Sequence, residues 1–240
     1  MSTKEPRLEL QIDVFSLKQQ RALVLPTLTS AELVLAIIQE FGGRQLHDVN
    51  ADNGQKKQAP ALEKLLKIEY LSDNPNDYQL LRTKTQQPID AAIPIGEQLF
   101  PKERLMLVEQ ELPLPEGTAR PTRLAYLRDQ STGKVFKLHW QPAIIGRPDQ
   151  NLPDNNRLAV NLGTYTTGTR VSRRHAQIGQ VGAQFYIERL SPNPTAIRDA
   201  QGKTIQIREK QHLLRHGDTI ILEGSGIALE FIVREQEPVV

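Results

Sequence analysis

From Thr122 onward the chain holds no helical period long enough to build a helix. It offers instead eleven short alternating or apolar segments, at 123–128, 135–140, 143–146, 158–162, 176–181, 184–190, 195–198, 204–207, 211–213, 219–222 and 227–233. Gly, Asn, Asp and Pro punctuate them, and the stretches 129–133 and 223–226 read as hairpin connections. Successive side chains of a strand point to opposite faces, so each segment can give one face to a core. Many short strands joined by turns close most readily into a β-sandwich. The expected fold is therefore mainly β, in two domains, with a sandwich of about eleven strands in the second half.

A break precedes that half. Residues 112–121 carry three prolines and one glycine without periodicity, and read as an extended linker between domains at 1–111 and 122–240. The first domain reads as mixed α and β. Residues 8–15 alternate with period two, and 21–25 can pair with them as a hairpin. Thr29 or Ser30 can cap a helix whose apolar face is Leu33, Val34, Ile37, Ile38 and Phe41. Gly42-Gly43 should stop it through a left-handed cap. A weaker helix is expected at 61–68, with strands at 78–82 and 104–109.

The chain has no cysteine, which excludes disulfides, thiolate zinc sites and cysteine catalysis. No apolar run is long enough to span a bilayer, and the first residues are polar and charged, so the default location is the cytoplasm, without membrane insertion. The net charge of +2 is weak, but it is unevenly spread. Residues 1–112 hold 13 Lys and Arg against 16 Asp and Glu, whereas 113–240 hold 17 against 12, so the sandwich half carries +5. That asymmetry favours an anionic partner for the second half.

Four signals fall at strand ends in that half: Gly146-Arg147, Arg170-Val-Ser172-Arg173-Arg174-His175, Asn193-Pro-Thr195 and Leu214-Arg-His-Gly217-Asp218. A phosphothreonine brings about −1.5 to −2 charges and three acceptor oxygens. An arginine fork meets it with two parallel hydrogen bonds, which lysine cannot do. Gly146 allows another chain to come close. Taken in order on this strand pattern, the set resembles the forkhead-associated (FHA) domain over roughly 120–234. The resemblance implies an eleven-stranded sandwich that binds phosphothreonine peptides. It implies that Arg147 and Ser172 hold the phosphate, Arg170 assists, and Asn193 bonds the ligand backbone, while Arg173 is a further candidate that can equally be ordinary surface charge. His175 is implied to be architectural, and Gly217-Asp218 a tight turn. The chain departs from the family at Asn193-Pro194-Thr195, where Asn-Gly-Thr is usual, and in the long span 149–169 before Ser172. Either departure could leave the site degenerate and phosphate-independent.

The first half resembles the ubiquitin-like β-grasp fold, including the small ubiquitin-like proteins linked to bacterial type VII secretion. The combined expectation is a non-catalytic signalling adaptor without cofactor or metal. Its partners would be a phosphothreonine-containing protein from a Ser/Thr kinase pathway and a second protein on the first domain. Three rivals are weaker. A Ser172–His175–Asp218 triad lacks a nucleophile elbow. His175, His212 and His216 match no zinc spacing. Nucleic-acid binding through Arg170, Arg173 and Arg174 lacks aromatic platforms.

Overall fold

The structure, a computed structural model, describes residues 6–42, 68–149, 151, 153–208 and 211–234. It divides into two compact units, Met1–Glu111 and Leu112–Val240.

The first unit opens with a hairpin, β1 (Leu8–Val14) and β2 (Leu17–Val24), paired antiparallel from Leu8↔Val24. Helix α1 (Ser30–Phe41) follows, with Thr29 as its N-cap. Thr29 Oγ1 accepts from the Glu32 N–H at 3.3 Å, and Glu32 Oε2 accepts from the Thr29 N–H at 2.8 Å. A reciprocal cap of this kind is worth about 1 kcal/mol. The helix buries Leu33, Val34, Ile37 and Ile38, and its period matches the expected apolar face.

Its end differs from expectation. Gly42 is extended, at φ −73 and ψ 154, rather than left-handed. Glycine is needed there for space, because a Cβ would collide with the Ile38 carbonyl oxygen. Gly42 then bridges to Ile68. Gly43 and most of the expected 61–68 helix lie outside the described residues.

Strands β3 (Tyr78–Arg82) and β4 (Arg104–Glu109) complete a sheet of order β2-β1-β4-β3, with the helical turn α2 (Ile95–Gln98) between them. β4 runs parallel to β1 and antiparallel to β3. Leu10, Ile12 and Val14 of β1, with Leu105 and Leu107 of β4, share one core with the α1 face. The β1–β4 pairing is fastened by Asp13. Arg104 Nη2 donates to Asp13 Oδ2 at 2.8 Å, while the Gln19 N–H reaches Oδ1 at 2.7 Å. Burial pushes the Asp13 carboxyl up, but these bonds and the Arg104 and Lys18 charges outweigh it, so it titrates below the ordinary value.

The second unit contains β5 (Leu124–Asp129), β6 (Val135–Lys137), β7 (Ala143–Gly146), β8 (Leu158–Asn161) and β9 (Ala176–Val181). Then come β10 (Gln184–Arg189), β11 (Thr195–Arg198), β12 (Thr204–Gln206), β13 (Gln211–Leu214), β14 (Thr219–Leu222) and β15 (Ile227–Arg234). They form a five-stranded sheet, β13-β10-β9-β7-β8, and a six-stranded sheet, β12-β11-β14-β15-β5-β6. β7–β8 is parallel and the other pairs are antiparallel. The inward residues of both sheets make one core, with Phe185 of β10 edge-to-face on Phe231 of β15 at 5.2 Å. Each fully buried large aliphatic side chain there is worth about 1.5–3 kcal/mol.

Residues 112–121, expected to be a spacer, are fastened to this second unit. Ala119 and Gln141 exchange backbone hydrogen bonds of 2.9 and 2.8 Å, and Arg157 Nε donates to the Glu116 carbonyl at 2.9 Å. Proline removes donors and stiffens the backbone, but its neighbours keep theirs. A pre-extended segment loses little entropy when it pairs with a strand end.

Candidate functional site

The four signals come to loops that begin or end at strands. Arg147 follows the last residue of β7, and its Nε donates to the Val171 carbonyl at 2.9 Å. Ser172 is next along. Its Oγ accepts from Asn193 Nδ2 at 2.8 Å, and Asn193 lies between β10 and β11. Arg147, Ser172 and Asn193, far apart in sequence, are thus linked through one short chain of bonds. A serine hydroxyl carries one donor and two acceptor pairs. Asn193 occupies an acceptor, so the Ser172 O–H is left to donate.

Pro194 does not displace Asn193 from this bond. The Pro194 carbonyl accepts from the Glu223 N–H at 3.3 Å, and Thr195 beyond it is fully buried at the start of β11.

Gly146 permits a close approach, but to its own chain. A Cβ there would stand 2.9 Å from the Ser172 carbonyl oxygen and nearer still to that of Arg173. The Ser172–Arg173 backbone therefore lies directly on the end of β7. His175 holds the same loop from beneath. It is 2% exposed, its N–H donates to the Ile145 carbonyl at 2.9 Å, and its Nδ1 accepts from the Ser172 N–H at 3.4 Å. With Nδ1 accepting, the ring proton sits on Nε2, which donates to Thr195 Oγ1 at 3.0 Å. Burial, and then the nearby Arg189 charge, holds the imidazole pKa below its ordinary value.

Gly217 adopts φ +86, the left-handed region that glycine tolerates. Asp218 Oδ2 accepts from the Arg215 N–H at 2.7 Å and closes the turn into β14.

The cations differ among themselves. Arg170 ends a short 3₁₀ turn, Gly168–Arg170, and is exposed with no side-chain partner among the described residues. Arg173 is engaged with Asp149 at 2.8 Å. Arg174 donates to the Arg173 carbonyl at 3.0 Å and to Asn155 Oδ1 at 3.4 Å. Asp149 and Asn155 were not singled out by the sequence pattern. The only hint was an acid two residues after Arg147.

The Ser172–His175–Asp218 triad is not assembled. The Ser172 hydroxyl bonds Asn193, His175 Nε2 bonds Thr195, and Asp218 caps its own turn. Among the described residues no three His, Asp or Glu side chains gather as a metal site, and no helix is long and apolar enough to cross a membrane. A cavity of about 370 Å³ lies elsewhere in the second unit, lined by residues including Thr118, Pro142, Gln180 and Tyr186, and none of Arg147, Arg170, Ser172 or Asn193 borders it. The candidate site is a rim of loop ends, not a cavity.

Residues 143–223, within the second unit, match the FHA domain family. No curated protein matches the chain. Among solved structures, the chain is similar to the FHA domain of human APLF in complex with an XRCC1 bisphospho peptide. Identity is 22%, over 45% of this chain and 97% of that one, with a TM-score of 0.35. Mycobacterium tuberculosis EmbR in complex with a low-affinity phosphopeptide is 26% identical over 48% of this chain and 25% of its own, with a TM-score of 0.35. The FhaA FHA domain complexed with the intracellular domain of Rv3910 is 28% identical over 46% and 99%, with a TM-score of 0.29.

Proposed function

We propose that this chain is a non-catalytic adaptor whose second unit reads phosphothreonine in a partner protein. The observation that carries the reading is the Asn193–Ser172 bond, which turns the serine hydroxyl into a donor beside Arg147. Arg147 spends Nε on the Val171 carbonyl. That bond orients the guanidinium and leaves its terminal nitrogens for phosphate oxygens. Arg170 adds a second cation, and Asn193 orients the ligand backbone. Such a ligand implies a Ser/Thr kinase as writer and a cytoplasmic setting. The first unit, with sheet order β2-β1-β4-β3 and a helix after its hairpin, fits a ubiquitin-like β-grasp. We assign it the task of engaging a second protein component.

The test is a phosphothreonine peptide library against the full chain, with phosphoserine and unmodified controls. Arg147→Ala is expected to weaken binding at least about tenfold, the scale of a lost charge-assisted bond, with an unchanged thermal melt. Equal binding by both proteins, or equal binding of unmodified peptides, would point to the phosphate-independent alternative and sink the reading.

A further inference from the structure

Arg173 directly follows Ser172, yet its charge is already matched by a carboxylate, whereas Arg147 meets only a neutral carbonyl. Its Nε lies 2.8 Å from Asp149 Oδ2, and the Asp149 side chain is 8% exposed against 55% for Arg173. Asp149 is fixed from several sides. Its Oδ1 accepts from the Asn151 N–H at 3.0 Å, and the Asn155 side-chain amide takes its backbone N–H and carbonyl at 3.1 and 2.6 Å. The carboxylate therefore cannot follow Arg173 if that side chain swings away. Departure would leave an enclosed anion without its counter-ion, which is far costlier than breaking an exposed pair.

We propose that Asp149 is a built-in counter-ion that withholds Arg173 from the ligand, leaving Arg147 and Arg170 as the cations that meet the phosphate. The inference rests on the phosphothreonine reading and deepens it. A singly charged Asp or Glu peptide then meets too little positive charge to bind usefully. A phosphothreonine, with about −1.5 to −2 charges, still gains the guanidinium fork and the hydroxyl.

The experiment compares four full-length proteins: wild type, Asp149→Asn, Arg173→Ala and the double variant. Each is titrated with one degenerate phosphothreonine peptide pool by fluorescence polarisation and checked by thermal melt. Asparagine keeps Oδ1 as acceptor for the Asn151 N–H and turns the atom facing Arg173 from an acceptor into a donor, removing both the charge and the bond to Arg173. Asp149→Asn should bind about three- to fivefold tighter, the range of a released exposed charge. The double variant should lose that gain, and Arg173→Ala alone should change binding by under about twofold.

No tightening in Asp149→Asn shows that Asp149 withholds nothing, and a loss in Arg173→Ala matching that of Arg147→Ala makes Arg173 a ligand contact; either overturns the inference. If wild type binds nothing while Asp149→Asn binds, the inference stands and the functional reading falls. If neither binds, both fall. Should Asp149→Asn fail to fold, the Arg173 Nε–H resonance of wild type decides. An unchanged signal at saturating peptide supports withholding, and a shifted one overturns it.

Discussion

The two units bury polar groups for different ends. In the first, Asp13 joins β1 to β4 through Arg104, and the buried Tyr78 hydroxyl accepts from the Ser72 N–H at 2.6 Å. These bonds tie scaffold to scaffold. In the second, His175 and Thr195 are buried and bonded to one another at strand ends beside the candidate site, and Asp218 closes a turn at the far end of the β11–β14 pair. There the bonds fix the shape of loops. A buried polar group costs stability unless its partners are all present. One unit meets that condition to set strand pairing, the other to hold loop ends still.

The comparison can be broken by acting on each unit alone, with amide exchange read separately over the two. The largest effect is expected from His175→Ala. It removes a packed ring and leaves the enclosed Thr195 hydroxyl unbonded, for about 3 kcal/mol. Exchange should accelerate in β7, β9 and β11 and leave β1–β4 unchanged. Next is Arg104→Ala, about 2 kcal/mol, because it strands the buried Asp13 carboxylate beside an exposed gap. Here β1 and β4 should exchange faster and the sandwich should not. If either variant loosens both units equally, the division of labour is wrong.

The smallest effect is a pH dependence that separates the units by window. The folded pKa of His175 lies below its ordinary 6.5, so the unfolded chain binds more protons there. Its contribution is complete above that value and is lost as pH falls from it toward the folded pKa. Asp13 is a carboxyl with its pKa lowered from 3.8. Its contribution is present above that value and lost only as pH falls below it. Near pH 5 the loops around Ser172 should therefore lose protection while the β1–β4 pairing keeps it. Equal loss in both units at that pH would remove the distinction.

What was legible in the sequence follows from the range of the forces involved. The eleven strand positions of the second unit could be read because alternation and turn chemistry are local, and the hairpin and α1 for the same reason. The grouping of Arg147, Ser172 and Asn193 could be read because each falls at the end of a locally legible strand. The Asp149–Arg173 pair could not, since it depends on a loop returning over 24 residues of sequence. The extended Gly42 was also hidden, because its cause is a single carbonyl one turn back. Residues 112–121 looked like a spacer because their partners, Gln141 and Arg157, lie well downstream.

That last feature sets where the molecule can be cut. A cloning boundary at Thr122, where composition invites one, would strip Ala119 from Gln141 and Glu116 from Arg157. The severed piece would begin with a frayed border on the very body meant to be isolated. Excision after Glu111 would carry the proline segment along as an integral flap.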